Sequence, residues 1–259
     1  MTATYNPHLY DLTTPDSFRG DVEFYLRKAK ASGGPVLELG AGTGRITLAI
    51  ARSGVTVHAL DANPDMLEAL NDKLATEPSD VHNRVVVVEG DMRTFKLPER
   101  FPLIICPYRA FLHNLTEADQ LACLRQVRGH LAPGGCFAFN VYYPTLEFMS
   151  HHTGSLAGVW RWRATHPGAD GGFVIRSEAI RYDPVPQQVH ALIRYDEYGA
   201  DGVLVRTYLH RLDLAYLYPG DIRRLLDQAG FANVELSGGP DGQPVESDVQ
   251  ELFVEAVSR

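Results

Sequence analysis

The sequence predicts an α/β fold, a mostly parallel sheet built of βαβ units with an antiparallel β insert late in the chain. Three observations carry that reading. Short apolar runs alternate with amphipathic helical stretches as far as Val141. A glycine-rich turn, Gly40-Ala-Gly42-Thr-Gly44, directly follows the first apolar run. From residue 172 the alternation gives way to long β-rich runs, and it returns at Asp221.

The elements follow in order. Residues 17–30 place Phe18, Val22, Tyr25 and Ala29 at helical steps, and Gly33-Gly34-Pro35 stops the helix. Val36–Leu39 is a short strand that runs into the glycine turn, and Ile46–Arg52 continues as a helix ended by Ser53-Gly54. Val55–Leu60 is the second strand. Asn63 caps the next helix, Pro64 fills its first turn, and Leu67, Leu70 and Leu74 face one way. Arg84–Val88 and Leu103–Cys106 are the third and fourth strands. Thr116-Glu-Ala-Asp119 resembles a capping box and opens a helix through Leu131. Pro133-Gly134-Gly135 breaks it, and Cys136–Val141 is the fifth strand. Runs at 172–182, 188–198 and 203–214 form the antiparallel insert, with turns at Asp183-Pro184 and Gly199–Gly202 and a closing turn at Tyr218-Pro219-Gly220. A helix over Asp221–Ala229 with Gly230 as its cap, then strands at Val234–Ser237 and Leu252–Val257, complete the chain.

With 259 residues, 45% hydrophobic and 22% charged, the chain can bury a sizeable core. Its 24 basic and 32 acidic residues give a net charge of −8 with no long basic run, which argues against nucleic acid as a partner and for a small ligand. No apolar run reaches the ~18 residues of a membrane span, and the first residues lack the pattern of a secretory signal. Cys106, Cys123 and Cys136 have no metal-like spacing and leave one thiol unpaired in any disulfide scheme, so a reducing cytoplasm is expected. His151-His152 lacks a third ligand at metal spacing, and no metal site is expected.

The glycine turn and its acids are the most informative segment. The dinucleotide fingerprint requires a third glycine where this chain has Arg45, and no Gly-Lys-Ser/Thr follows to cradle phosphate. Glu38, just before the turn, suits a ligand carrying an amine. Asp61, at the end of the second strand, can accept hydrogen bonds from ribose hydroxyls. Asp91, after the third strand, can accept from an exocyclic base amine. Carboxylates at three successive strand ends thus outline amine, ribose and base, with no phosphate.

Val36-Leu-Glu-Leu-Gly-Ala-Gly-Thr-Gly44, Asp61-Ala-Asn-Pro-Asp-Met-Leu67, Glu89-Gly-Asp-Met92 and Leu131-Ala-Pro-Gly-Gly135 together resemble class I S-adenosylmethionine-dependent methyltransferases over residues 17–145. The nearest likeness is to the bacterial small-molecule branch, including sugar-amine N-methyltransferases. That resemblance implies a Rossmann-like seven-stranded sheet of order 3-2-1-4-5-7-6 with strand 7 antiparallel, and S-adenosyl-L-methionine as cofactor. It implies Gly40, Gly42 and Gly44 around the cofactor, Asp61 on its ribose and Asp91-Met92 beside adenine. The expected cofactor shell is completed by Glu38, Ala41, Arg45, Ala62, Met66, Arg93 and Pro107. Residues 1–145 and 211–259 are expected to form the core, with 1–30 as a helical lid. Residues 146–210 are expected to cap the substrate or to form a homodimer interface.

Cys106-Pro107-Tyr108 lacks the acceptor amide of base-modifying amino-methyltransferases. The expected function is therefore methyl transfer to nitrogen or oxygen of a small molecule. His113 is a candidate general base, Arg109 a candidate for orienting an anionic substrate, and Tyr10 a candidate hydroxyl near the sulfonium. Tyr5 and Arg19 lie in the same N-terminal segment. The rival readings are a non-catalytic cofactor binder of the same fold and a nicotinamide-dependent oxidoreductase.

Overall fold

A computed structural model of the protein describes residues 5–15, 18, 20–246 and 251–258; Arg19 falls outside them. The chain packs as two units, Asp16–Tyr143 with Tyr216–Arg259, and Met1–Pro15 with Pro144–Ala215.

In the larger unit, β1 (Val36–Leu39), β2 (Val57–Asp61), β3 (Val85–Glu89), β4 (Phe101–Cys106) and β5 (Leu131–Tyr142) are parallel. Between them run α3 (Arg45–Arg52), α4 (Pro64–Leu74), a short α5 (Ser79–His82) and α6 (Glu117–His130), preceded by α2 (Asp21–Ser32). The chain returns through α7 (Pro219–Gln228), β10 (Phe231–Ser237) and β11 (Glu251–Ser258). The sheet order is β10-β11-β5-β4-β1-β2-β3, with β11 antiparallel to both neighbours. Counted within this seven-stranded sheet, that is 3-2-1-4-5-7-6, as expected.

Both sheet faces are covered, as a parallel sheet requires. Helices α2, α3 and α4 pack on the face bearing Val36, Val57, Ala59 and Leu103. Leu37, Leu60, Ile104 and Phe137 alternate to the other face and are equally buried. There Phe137 stacks on Phe139, 4.7 Å between ring centres, and lies 6.2 Å from Phe231. The expected caps form: the Asn63 side chain accepts from the Asp65 amide and Thr116 from the Asp119 amide. The first long helix begins at Asp21, whose buried carboxylate turns back to accept the Phe18 amide.

The smaller unit holds an antiparallel sheet of order β6 (Trp160–Pro167), β7 (Phe173–Asp183), β8 (Gln188–Tyr198) and β9 (Leu204–Ala215). Four strands stand where the sequence pattern gave three. Trp160–Pro167 alternates between exposed and half-buried positions, so it lacks the apolar face that marks a strand in sequence. The N-terminal α1 (Pro7–Thr13) packs Leu9 against Val174, Ile193 and Tyr195. Leu192, Leu209 and Trp162 lie on the opposite face and stay 38%, 62% and 67% exposed. Helix α1 groups by packing with this smaller unit, which runs to Ala215.

Candidate active site

The site begins at the turn between β1 and α3. The Gly40 and Ala41 amides both donate to the Leu60 carbonyl, at 2.8 and 3.0 Å, which ties the turn to the end of β2. The Gly42 amide donates to Asp61 Oδ2 at 2.8 Å, and the Asn63 amide to Asp61 Oδ1 at 2.8 Å. A carboxylate has about four lone-pair sites, so capacity remains for a ligand's hydroxyl groups. Burial pushes the Asp61 carboxyl up, against the amide hydrogen bonds that lower it. Ala62 follows, exposed, and Met66 is buried with its Cε 3.3 Å from where a Cβ on Gly42 would stand.

Glu38 is buried beneath the turn, and the Thr47 hydroxyl donates to it at 2.6 Å. Burial raises its carboxyl from the usual 4.5 to about 8. The folded chain therefore holds a proton there that the unfolded chain releases, and stability falls as pH rises from about 4.5 to 8. We predict that Glu38→Gln flattens this slope, by about 2–5 kcal/mol across the window. Urea midpoints at several pH values check it; parallel slopes in the two proteins would exclude Glu38 as the source.

Asp91 sits after β3, held by Arg93, whose Nη2 donates to Oδ2 at 2.5 Å while Nη1 reaches Asp119 at 3.0 Å. That hydrogen bond holds the Asp91 carboxyl below its usual range. Met92 is half-buried. Its Sδ accepts from Asn114 Nδ2 at 3.3 Å, and its Cε lies 3.9 Å from a Cβ built on Gly40. Asp61, Met66, Met92 and the glycine turn thus gather along the carboxyl ends of β1–β3, where open α/β sheets bind ligands.

The segment after β4 closes on the same turn. Buried Pro107 is followed by Tyr108 and Arg109 at φ of 52° and 66°, a left-handed bend at two consecutive non-glycine residues. Such strain costs about 1–3 kcal/mol per residue and persists only where the surroundings impose it. A short 3₁₀ turn, Ala110–His113, follows. Ala110 Cβ lies 2.6 Å from a Cβ built on Gly40, so this turn seats on the glycine turn. His113 ends the turn in an exposed position.

Two expected ligand contacts are placed elsewhere. Arg45 turns back to the buried Asp21, with Nη2 donating at 2.6 Å, and stacks 5.0 Å over the Tyr108 ring. Arg109 forks onto Glu251, Nη2 donating at 2.7 Å and Nε at 3.0 Å, between the Phe18 and Tyr142 rings. Tyr10 lies on α1 of the smaller unit, its ring 5.8 Å from Tyr5, which is itself 4.5 Å from His210. Asn114, Asn140 and Glu251 were missed. Asn140 carries one sequence signal, a lone amide in the apolar run Phe137-Ala-Phe-Asn-Val141.

Residues 36–135 match the methyltransferase domain family. Cypemycin N-terminal methyltransferase from Streptomyces is 25% identical over 96% of this chain and 97% of its own. The chain is an S-adenosylmethionine-dependent methyltransferase. A dTDP-3-amino-3,6-dideoxy-alpha-D-glucopyranose N,N-dimethyltransferase from Streptomyces fradiae is 25% identical over 86% of this chain and 80% of its own. The CcbJ methyltransferase from Streptomyces caelestis superposes with a TM-score of 0.76 at 25% identity, covering 95% of this chain and 99% of that one. The donor set fits the cofactor. Asp61 keeps acceptor capacity suited to hydroxyl groups, and Met66 and Met92 place apolar side chains beside the glycine turn, suited to a base. Near-full-length likeness to methyltransferases sets aside the oxidoreductase reading.

Proposed function

We propose that the enzyme methylates an amine nitrogen of a small-molecule acceptor. The observation that carries this reading is near-full-length similarity to two enzymes whose names place the methyl group on an amine. When bound, the cofactor supplies an electrophilic methyl group activated by positive sulfur. The chain's own residues then have to hold and orient. Asp61 anchors the ribose, the glycine turn brings backbone close to the cofactor, and Asp91 and Met92 flank the base. Holding reactants in line supplies about 7–11 kcal/mol of the barrier. A neutral amine attacks without prior deprotonation, so His113 serves to take up the proton released after transfer rather than to create the nucleophile.

The chain passes into the smaller unit directly after β5, and that point of insertion in the sequence supports a part in acceptor selection. Val205 and Leu209, 58% and 62% exposed on the edge strand β9, support pairing with a second copy. The free thiols of Cys106, Cys123 and Cys136 support a reducing cytoplasm.

The test uses purified protein, methyl-labelled S-adenosylmethionine, and paired acceptors differing only in amine or hydroxyl, among them a dTDP-amino sugar and its hydroxy counterpart. Label is expected in the amine members. Transfer confined to hydroxyl acceptors would overturn the nitrogen reading. Sedimentation of the same preparation is expected to show a dimer, and a monomer at micromolar concentration would overturn the pairing.

A further inference from the structure

We infer that Asn140 and Glu251 are positioning residues for methyl transfer. They hold the loop after β4 in its left-handed bend, so that Ala110 rests on the glycine turn. The inference rests on the proposed methyl transfer, and it gives Arg109 a role other than substrate binding.

The bend at Tyr108 and Arg109 is fixed from two sides. The Tyr108 amide donates to Asn140 Oδ1 at 2.8 Å, and the Tyr25 hydroxyl donates to the same oxygen at 2.7 Å. Asn140 Nδ2 in turn donates to Glu251 Oε1 at 2.7 Å. Glu251 takes the Arg109 fork on the same carboxylate. Asn140 on β5 and Glu251 at the head of β11 are diagonal neighbours on adjacent antiparallel strands, since Glu251 pairs with Tyr142 and Asn140 with Phe253. They are 0% and 2% exposed. A carboxylate buried to that degree requires a partner, and Arg109 is the cation that meets it. The aromatic sandwich of Phe18 and Tyr142 leaves the guanidinium little room to swing towards an acceptor.

The consequence runs along the next residues. The bend sets where Ala110 meets Gly40, and hence where the turn ending at His113 and the Asn114 contact to Met92 fall. Glu251 thus acts on the reaction through Arg109 and the loop, without touching substrate or cofactor.

Glu251→Gln keeps the shape and removes the charge. It is expected to lower kcat about 10- to 100-fold, with KM and the S-adenosylmethionine dissociation constant within about threefold, because a misplacement near 1 Å carries a penalty of that size. Amide exchange over residues 108–114 should accelerate in the same variant with cofactor alone, a readout that needs no acceptor. The decisive comparison is a cycle of Glu251→Gln, Arg109→Lys and the double variant. The double should be no slower than the worse single, since both changes break one connection. Arg109→Lys, at a partly exposed side chain, carries the exchange measurement if Glu251→Gln does not fold. Multiplying effects on kcat, or a raised KM in Arg109→Lys alone, would overturn the inference by placing Arg109 on the acceptor. Wild-type exchange over 108–114 in both single variants would also overturn it. Absence of transfer to any amine by the wild-type protein would strike the proposed function instead, with the exchange result still deciding the positioning role.

Discussion

Asp61→Ala is expected to weaken S-adenosylmethionine binding by about 2–3 kcal/mol, or roughly 30- to 150-fold. The Gly42 and Asn63 amides each take one lone pair of the carboxylate, so its orientation is set before ligand arrives. What it offers a ribose is a charge-assisted acceptor that loses no side-chain freedom on binding. The alanine variant also releases the Gly42 amide, and Asp61→Asn separates the two effects by keeping an oxygen for a backbone partner. Calorimetry with S-adenosylmethionine and with S-adenosylhomocysteine should show equal losses, because the ribose is common to both. Unchanged affinity in a folded Asp61→Ala protein would remove Asp61 from the ribose.

Gly44→Ala is expected to cost about 2–5 kcal/mol of folding stability, through overpacking and left-handed backbone. Gly44 has φ of 87°, and a Cβ there would lie 2.3 Å from Leu70 Cδ1. Leu70 is fully buried among Leu48, Leu67 and Leu74, so it has nowhere to move. Gly42→Ala makes the informative contrast: at φ of 56° it shares the left-handed backbone cost, but its Cβ meets only the flexible end of Met66, at 3.3 Å. Its main effect should fall on cofactor affinity. Urea denaturation with and without cofactor checks both, and a Gly44→Ala protein as stable as the parent would refute the packing argument.

Local rules made most of the larger unit readable from sequence. Val36–Leu39 is uniformly apolar apart from Glu38, Asn63-Pro64 and Thr116 are strong cap signals, and the glycine spacing announces a tight turn. The sheet order came from the family resemblance, since pairing of distant strands leaves no periodic trace. The site was legible where one residue does one thing, as at Asp61. It was illegible where residues far apart in sequence act together. Arg109 and Glu251 are 142 positions apart, and Arg45 and Asp21 are 24 apart. An arginine near a binding loop reads as a ligand contact until its buried carboxylate is located. Glu251 gave no warning, because an acid heading a strand is unremarkable in sequence.

The packing of α1 against β7 and β8 has a consequence for synthesis. Leu9 is made before any strand of the parallel core, yet its partners Val174, Ile193 and Tyr195 are made only after all five parallel strands. Until then the apolar side of α1 has no surface of its own to bury, and an isolated helix of 7 residues is too short to persist in water. The smaller unit is therefore assembled only once the chain has reached Ala215, from the two ends of a long interval. The seven-stranded core lacks β10 and β11 at that stage, so both units reach completion late and close together in time.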